Sequence, residues 1–277
     1  QHIGSFIGIN QETLEEVETE TIKIMSYNVR IFNTYGWIPK TDVKEKILSF
    51  FKKEKPDILC IQEFYAPKKL PDLEYNYKHV ENKKKQKNNS NLAIYSRFPQ
   101  INKASIEIEN SSNTNTCIFS DIIIKKDTIR VYNIHLASNW FKPSNYSFIE
   151  NPTLKKEILQ ENIKDIINSM KISYKIRAQQ VKKIEKHIRN CPYPIIICGD
   201  FNDTPLSFSY HTLANGLIDS FEKAGRGIGN SHTKIPFLRI DYILHDSFFK
   251  TVKYNKHKEI LSDHYPISSE LKINTSL

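Results

Sequence analysis

The sequence has few cysteines, few glycines and no long hydrophobic run, and each shortage excludes a class of protein. Its 277 residues include four cysteines and eight glycines. Cys60, Cys117, Cys191 and Cys198 are too scattered for a disulfide scaffold, and they form no CxxC pair that would indicate zinc. Cys60 and Cys198 lie inside apolar runs, so we expect them to be reduced core residues. No run approaches the roughly 18 apolar residues of a membrane span, and no signal peptide is visible.

The charge balance favours an anionic partner. Lys and Arg number 40 against 31 Asp and Glu, which gives a net charge of +9. Nucleic acid, phosphorylated metabolites and acidic membrane surfaces all match this sign. A Lys-rich and Asn-rich composition without functional meaning explains the charge equally well.

The pattern of apolar residues predicts one α/β domain. Residues 1–20 carry an acidic run and no apolar period, which predicts an extended N-terminal arm before a single domain over residues 21–277. "TIKIMSYNV" and "PDILCIQEF" are typical strands, and Val43, Ile47, Phe50 and Phe51 between them form an amphipathic helical stripe. The 39% hydrophobic content is enough for a sizeable core. Neither a repeat nor a flexible linker divides the chain.

The middle and end of the chain add strands and helices in an order that predicts mixed sheets. Strands are predicted at "NLAIYSR", "ASIEIE", "TCIFSDIIIK" and "TIRVYNIHLA", and the last two form a hairpin. Between residues 141 and 190 two apolar stripes predict two helices, which lead to the strand "PIIIC". "LRIDYILHD", "FKTVKYNKH" and "HYPISSELKI" follow as strands. Strands that follow one another without helices require antiparallel pairs.

Polar side chains stand at the ends or on the faces of these apolar strands. Taken singly, each has an ordinary explanation as a turn, a cap or a buried histidine with a partner. Asp241 is the exception, because a carboxylate within the apolar run "RIDYIL" is costly to bury without a partner that stabilises its charge. Since strand ends converge in layered α/β folds, we expect one cleft. The residues are Asn28, Glu63, His135, Asp200, Asn202, Asp241, Asp263 and His264.

Six segments in order resemble the endonuclease/exonuclease/phosphatase family of metal-dependent phosphohydrolases: "MSYNVR", "DILCIQE", "NIHL", "GDFND", "RIDYIL" and "SDHYPI". The resemblance covers residues 22–273. It implies a DNase I-like, four-layer α/β/β/α sandwich, with two mixed β-sheets packed face to face and helices outside.

The resemblance also implies roles for these residues. Glu63 is expected to be the main carboxylate ligand of Mg²⁺ or Mn²⁺, with Asn28 beside it and Asp263 in support. Asp200 is expected to activate the attacking water, and Asn202 to orient that water or to hold a phosphate oxygen.

The remaining implied roles concern three further residues. His264 is expected at the scissile phosphate, oriented by Asp241, and His135 matches a histidine of nuclease-like and phosphatase-like members. That histidine counts against DNA base-excision repair. Arg177 is interpreted as an arginine on a solvated helix face and Asp203 as part of a turn, so both are left out of the site.

The substrate stays open at this level, because substrate choice depends on loops. The basic run at 81–91 could bind phosphates of nucleic acid or lipid, or could be a solvated turn. The aromatic residues near 139–175 could form a lid or a substrate-facing surface, or could pack on the sandwich. We expect a phosphoester hydrolase acting on nucleic acid or phospholipid, with a lipid-directed phosphodiesterase or phosphoinositide phosphatase as an alternative. A catalytically silent module that binds phosphorylated ligands, and a protein that merely binds DNA, are further alternatives. We expect a monomer.

The start of the sequence bears on location. The sequence begins at Gln1 rather than Met, and similar chains in the family sometimes carry membrane segments before the catalytic domain. Such a segment upstream of Gln1 would place the enzyme near a membrane. A bacterial cytoplasmic or membrane-associated protein is expected rather than a secreted one.

Overall fold

The computed structural model describes residues 3–10, 20–65, 71–81, 90–106, 108, 117–139 and 156–274. Within them, two six-stranded sheets are flanked by helices, and a separate two-stranded sheet pairs with neither of them. The strands are β1 Ile7–Ile9, β2 Thr21–Asn28, β3 Ile58–Tyr65, β4 Tyr77–Val80, β5 Ser90–Ser96, β6 Gln100–Ile106, β7 Cys117–Ile124, β8 Asp127–His135, β9 Ile195–Asp200, β10 Ile218–Asp219, β11 Arg226–Ile228, β12 Asp241–His245, β13 Phe249–Lys256 and β14 Ile267–Ile273. The helices are α1 Val43–Glu54, α2 Lys156–Arg189, α3 Phe208–Leu213 and α4 Ser220–Ala224, with 3₁₀ turns at Ile3–Ser5 and Arg30–Asn33.

The two large sheets have the same plan. One runs β13-β14-β2-β3-β5-β4 and the other β10-β12-β9-β8-β7-β6. Each contains one parallel pair, β2 with β3 and β8 with β9, and its other pairs are antiparallel. The predicted mixed sheets are therefore confirmed.

Three apolar clusters hold the layers together. Ile24, Ile94, Ile118 and Cys198 belong to a cluster contributed by both large sheets, which places those sheets face to face. A second cluster joins α1 to the β2–β3 sheet, and a third joins α2 and α3 to the β8–β9 sheet. The predicted four-layer, DNase I-like sandwich is thus confirmed, and Cys60 and Cys198 are buried free thiols as expected.

One helix prediction is wrong. Between residues 141 and 190 we predicted two helices, whereas α2 runs unbroken over its 34 residues. Ile163 of the first stripe and Val181 of the second are 18 positions apart, or about five whole turns. The two stripes therefore share one face of one helix, and no Pro or Gly interrupts the segment. Ile163 and Ile167 are exposed while Val181 and Ile184 are buried.

Part of the predicted N-terminal arm is a strand. Ile7–Ile9 pairs antiparallel with Arg226–Ile228, and the amide of Gly229 donates to the carbonyl of Phe6. Arg239, which is buried, donates from Nη1 to the carbonyl of Ser5 at 2.8 Å. Residues 11–19 lie outside the described residues, as do most of the basic run at 81–91 and residues 140–155 of the aromatic region. None of the helices in the described ranges has the length and apolar content of a membrane span.

Candidate active site

Strand direction brings the polar strand ends to one edge of the two sheets. The parallel strands β2 and β3 end near Asn28 and Glu63, and the parallel strands β8 and β9 end at His135 and Asp200. The antiparallel neighbours begin where these end, since Asp241 of β12 is opposite Asp200 and Ile267 of β14 is opposite Ser26. Residues from both sheets therefore meet at one cleft.

Asn28 joins the two halves of the cleft. Its Nδ2 donates to Oε1 of Glu63 at 3.1 Å and to Oδ2 of Asp200 at 3.0 Å, so one amide bridges the two sheets. Its Oδ1 accepts the backbone N–H of Arg30 at 3.0 Å. Because Asn28 is almost fully buried, these bonds fix the distance between the two carboxylates.

Glu63 reaches the site through a β-bulge. The pairing of β3 with β5 shifts register between Ile61 and Phe64, and Glu63 has a φ of +48°. In a regular strand, Gln62 and Glu63 would point to opposite faces. Here Gln62 donates to Asn133 at 2.6 Å between the sheets, while Glu63 contacts Asn28. A left-handed glutamate costs roughly 1–3 kcal/mol and is typical of functional sites.

Asp200 lies at the centre of the cluster. Its Oδ2 is 3.6 Å from Nε2 of both His135 and His264, and its Oδ1 accepts the backbone N–H of Asn202 at 2.8 Å. Burial raises the pKa of Asp200 to about 6, and the charge of Asp241 acts in the same direction, against the opposing effect of His264. This carboxyl group therefore titrates close to neutral pH, as a general base requires.

Asn202 lies two residues after Asp200, in the bend that follows β9. It has a φ of +51°, and its Nδ2 donates to the carbonyl of Leu136 at 3.0 Å. The side chain thus ties the end of β9 to the end of β8. Asn202 is half-buried, and its bond to Leu136 uses the amide nitrogen rather than the amide oxygen.

His264 is held by Asp241. The Nδ1 of His264 is 2.8 Å from Oδ2 of Asp241, and both residues are buried. Burial lowers the pKa of His264, but the charges of Asp241 and Asp200 outweigh it and hold the pKa well above its usual value. The imidazole is therefore protonated, with Nδ1–H donating to Asp241 and Nε2–H on the side of Asp200.

His135 faces both carboxylates from β8. Its Nε2 is 3.6 Å from Oε1 of Glu63 and from Oδ2 of Asp200, and this buried atom has no hydrogen-bond partner among the described residues. Burial lowers the pKa of His135, so the ring is neutral. A buried ring nitrogen without a protein partner indicates a position for water or a substrate atom.

Asp263 is paired with an arginine. Its Oδ2 is 2.9 Å from Nη1 of Arg30. The hydroxyl of Ser262 lies 3.2 Å from its Oδ1 and 2.8 Å from the carbonyl oxygen of Asn28. Burial acts to raise the pKa of Asp263, but the charges of His264 and Arg30 lower it below its usual value. Asp263 is therefore ionised and partly neutralised by Arg30.

Sequence reasoning missed His232. Its backbone forms an isolated β-bridge with His264, and the two ring centroids are 5.8 Å apart. Nδ1 of His232 accepts the backbone N–H groups of Lys234 and Ile235 at 3.2 and 3.1 Å, which leaves the proton on Nε2. Burial and the charge of His264 lower the pKa of His232 to about 4. No periodic pattern in "NSHTK" marks this residue, because it lies in an irregular loop.

Arg177 differs from its predicted setting, whereas Asp203 lies in the bend after β9 as predicted. Arg177 is fully buried rather than solvated: Nε donates to Asp203 at 3.1 Å and Nη1 to the carbonyl of Ala137 at 2.7 Å. Asp203 also accepts from Ser209 at 2.9 Å. The arginine is buried because the loop after β8 and the loop after β9 both close over α2. It ties the two loops that follow His135 and Asp200 to the same helix.

The donor set at Glu63 fits a divalent metal ion. Burial raises the pKa of Glu63, and the negative charge of Asp263 raises it further. A bound cation would therefore stabilise the ionised form of this carboxylate. Carboxylate and amide oxygens suit Mg²⁺ or Mn²⁺. Ligand atoms of Asp200, Asp241 and His264 also lie within 4.8 Å of one another. A protonated His264 has no free lone pair, so this second group is suited to proton sharing.

The sequence profile of one family matches most of the chain. It is described as the endonuclease/exonuclease/phosphatase family, and the match covers residues 25–264. All eight predicted site residues fall within that range. No curated protein sequence matches the chain at the significance that the solved structures below reach.

Solved structures share the fold at low sequence identity. A functionally unknown conserved protein from Enterococcus faecalis is 18% identical with a TM-score of 0.67, over 91% of this chain and 100% of that one. A family protein from Bacteroides thetaiotaomicron is 16% identical with a TM-score of 0.65, over 94% and 100% of the two chains. The human nocturnin catalytic domain with a bound sulfate anion is 17% identical with a TM-score of 0.64, over 92% and 94%.

Proposed function

The chain belongs to the endonuclease/exonuclease/phosphatase family, and from that premise we propose that it is a Mg²⁺- or Mn²⁺-dependent hydrolase of phosphoester bonds. The observation that supports this most strongly is that four of the site residues meet at one sheet edge. Asn28 donates to both Glu63 and Asp200, and Asp200 lies 3.6 Å from His264. The sulfate bound to the nocturnin domain is a tetrahedral anion like phosphate, which agrees with such a substrate.

Asp200 is the proposed base. Its carboxylate is held by Asn28 and by the backbone of Asn202, and its Oδ2 lies 3.6 Å from Nε2 of both His135 and His264. With a pKa of about 6, the group is ionised at neutral pH and still accepts a proton. Asn202 stands beside it to orient the water or a phosphate oxygen.

His264 is the proposed stabiliser of transition-state charge. Asp241 holds its Nδ1–H, so the cationic ring presents Nε2–H without having to reorganise during the reaction. A preorganised donor of this kind contributes on the order of 3–4 kcal/mol to transition-state stabilisation. His135 and His232 add two neutral imidazoles to the same place, His135 from β8 and His232 beside the ring of His264.

Glu63 and Asn28 are the residues proposed to hold the metal, with Asp263 in support. When bound, the ion polarises a phosphoryl oxygen and offsets developing negative charge. Asn28 would keep Glu63 and Asp200 apart at a fixed spacing, and Arg30 would limit the negative charge that Asp263 brings to the site.

The test is an EDTA-sensitive activity screen on the purified protein. The substrates are DNA, RNA, phospholipid, phosphoinositide and simple phosphomonoesters and phosphodiesters, and Asp200→Ala is the matched control. Metal-dependent hydrolysis that Asp200→Ala lacks is expected. No hydrolysis of any substrate would overturn the proposal and favour a silent binding module, and equal activity in the variant would overturn the role of Asp200. The proposed enzyme acts as a monomer, which sedimentation checks.

A further inference from the structure

Two exposed aromatic side chains stand beside the candidate site. Tyr35 and Trp37 are 63% and 41% exposed, and their rings meet edge to face at 5.1 Å between centroids. They lie on the aromatic loop, which we define as residues 33–38 and which follows Asn28 closely in the chain. Large aromatic rings left this open to water indicate a contact surface rather than core packing.

The aromatic loop is closed by its own backbone and by Asn33. Asn33 Nδ2 donates to the carbonyl of Ile38, and Asn33 Oδ1 accepts the N–H of Ile38, both at 2.9 Å. The N–H of Gly36 donates to the carbonyl of Asn33 at 2.9 Å, and Gly36 has a φ of +69° that favours glycine. The two rings therefore project from a closed turn whose shape does not depend on a ligand.

Two cationic side chains connect the aromatic loop to the site. The guanidinium of Arg30 is 4.4 Å from the centre of the Trp37 ring, while its Nη1 forms the ion pair with Asp263. Lys40 donates from Nζ to the carbonyl of Ile260 at 3.4 Å, just before the segment that carries Asp263 and His264. Trp37 is thus separated from a proposed metal-site carboxylate by a single arginine side chain.

We propose that Tyr35 and Trp37 form a stacking platform for an unpaired nucleobase next to the phosphate that enters the site. This inference rests on the proposed phosphoester hydrolase and narrows its substrate to single-stranded nucleic acid. An aromatic ring stacks on every base, and only a base outside a duplex offers an open face.

The surroundings favour nucleic acid over a lipid surface. Arg30 places positive charge against the ring of Trp37, and the chain carries a net charge of +9, which suits a polyanion. The tip of the aromatic loop is Tyr35-Gly36-Trp37, with Thr34 before it and Ile38 and Pro39 after it. Two rings on a closed turn of six residues give a stacking surface of about the size of a base, whereas insertion into a membrane needs a wider apolar face.

The first test is the fluorescence of Trp37. The sequence has two tryptophans, Trp37 and Trp140, so Trp140→Phe leaves Trp37 as the sole reporter. In EDTA, which prevents turnover, we expect single-stranded oligothymidylate and oligouridylate to quench this fluorescence. An abasic deoxyribose-phosphate strand of equal length should not quench it. The relative response to the two oligomers distinguishes DNA from RNA.

The second test is binding by fluorescence anisotropy with variants. Tyr35→Ala and Trp37→Ala are each expected to weaken binding of oligothymidylate by roughly tenfold relative to the abasic strand, the size expected for the loss of one stacked base. Trp37→Phe should recover most of the affinity because it keeps a ring. Tyr77→Ala, which removes an exposed aromatic on β4, serves as the matched control and should bind as the wild type does.

The outcomes separate this inference from the proposed function. Equal quenching by the abasic strand, or equal weakening for both strands in the alanine variants, would overturn the platform while leaving hydrolysis intact. A blue shift of Trp37 with phosphatidylserine vesicles and no response to oligonucleotides would assign the rings to lipid instead. Quenching by oligonucleotides together with no metal-dependent hydrolysis of any substrate would support the platform and overturn the proposed enzyme.

Discussion

The amide of Asn28 donates to Oε1 of Glu63 and to Oδ2 of Asp200, and so joins the proposed metal ligand to the proposed base. One side chain at the end of β2 therefore sets the spacing between groups that come from different sheets. The arrangement divides the cleft into a carboxylate side at Glu63 and a side at Asp200 where charge and protons are shared with His264 and Asp241. The predictions below separate these parts.

Asp241→Asn should lower kcat by about 10²–10⁴ with little change in KM. The carboxylate that holds Nδ1–H of His264 and favours its protonated form is lost, and proton positioning contributes about this much to rate. Steady-state kinetics on the substrate found in the screen will measure the effect. Far-ultraviolet circular dichroism should match the wild type. A kcat within twofold of the wild type would contradict the proposed role of Asp241.

Asp200 and Asp203 are three residues apart and should respond in opposite ways. Asp200→Asn should abolish turnover while the fold persists. Asp203→Asn should instead lower the free energy of unfolding by about 3–5 kcal/mol, because it leaves buried Arg177 without its carboxylate partner. Urea denaturation and initial rates on both variants distinguish the two roles. A catalytic defect without a loss of stability in Asp203→Asn would show that this residue acts in the site itself.

Activity should fall on the acid side as Asp200 becomes protonated, with kcat/KM decreasing as pH drops through about 6. The positive charge of His264 lowers the pKa of Asp200, so its removal raises that pKa. In His264→Gln the acid limb of the residual activity should therefore move to higher pH. A pH–rate profile of both proteins checks the direction. A limb that stays in place or moves to lower pH would contradict the coupling.

Glu63→Gln should weaken Mg²⁺ and Mn²⁺ binding by at least about tenfold, as measured by calorimetry. It should also stabilise the metal-free protein near neutral pH. The pKa of Glu63 is raised in the fold, so its ionised form destabilises the native state above that pKa, and the neutral amide removes this effect. Glu74→Gln, at an exposed ion pair with Lys52, is the matched control and should change neither quantity. Unchanged metal affinity in Glu63→Gln would exclude it as a ligand.

His232 can be tested with a pair of amides. The oxygen of Asn can accept the N–H groups of Lys234 and Ile235 as Nδ1 does, whereas the longer Gln can place a donor where Nε2–H stands. His232→Asn should keep the wild-type melting temperature and lose about tenfold in kcat/KM. His232→Gln should lose stability and keep more of the activity per folded molecule. The reverse order would show that His232 only supports the loop.

Much of the fold could be predicted because it depends on local periodicity. The stripe of Val43, Ile47, Phe50 and Phe51 becomes α1, and all four residues are buried. The strands from "TIKIMSYNV" to "HYPISSELKI" lie where alternation and β-branched residues indicate them. The prediction of two helices in place of α2 was wrong, because two apolar stripes about five turns apart look like separate helices along a sequence.

The candidate site residues were selected from the sequence for a different reason. The eight polar residues stand out because each interrupts or ends an apolar run, and their order matches the family. His232 could not be found in this way because it lies in an irregular loop. Arg177 was assigned to a solvated face because its burial depends on two loops, after β8 and after β9, that meet only in the folded chain.

The sequence by itself determined most of the strands and helices, the polar residues that are candidates for the chemistry, and the family to which the chain belongs, since these follow from local patterns and their order. The tertiary structure alone decided the relations between them. It raised the pKa of Asp200 by burial, aimed Glu63 with a bulge and closed Asn28 between two carboxylates. It also set Trp37 one arginine away from Asp263. Such effects depend on distance and exposure, which arise only when residues far apart in the chain pack together.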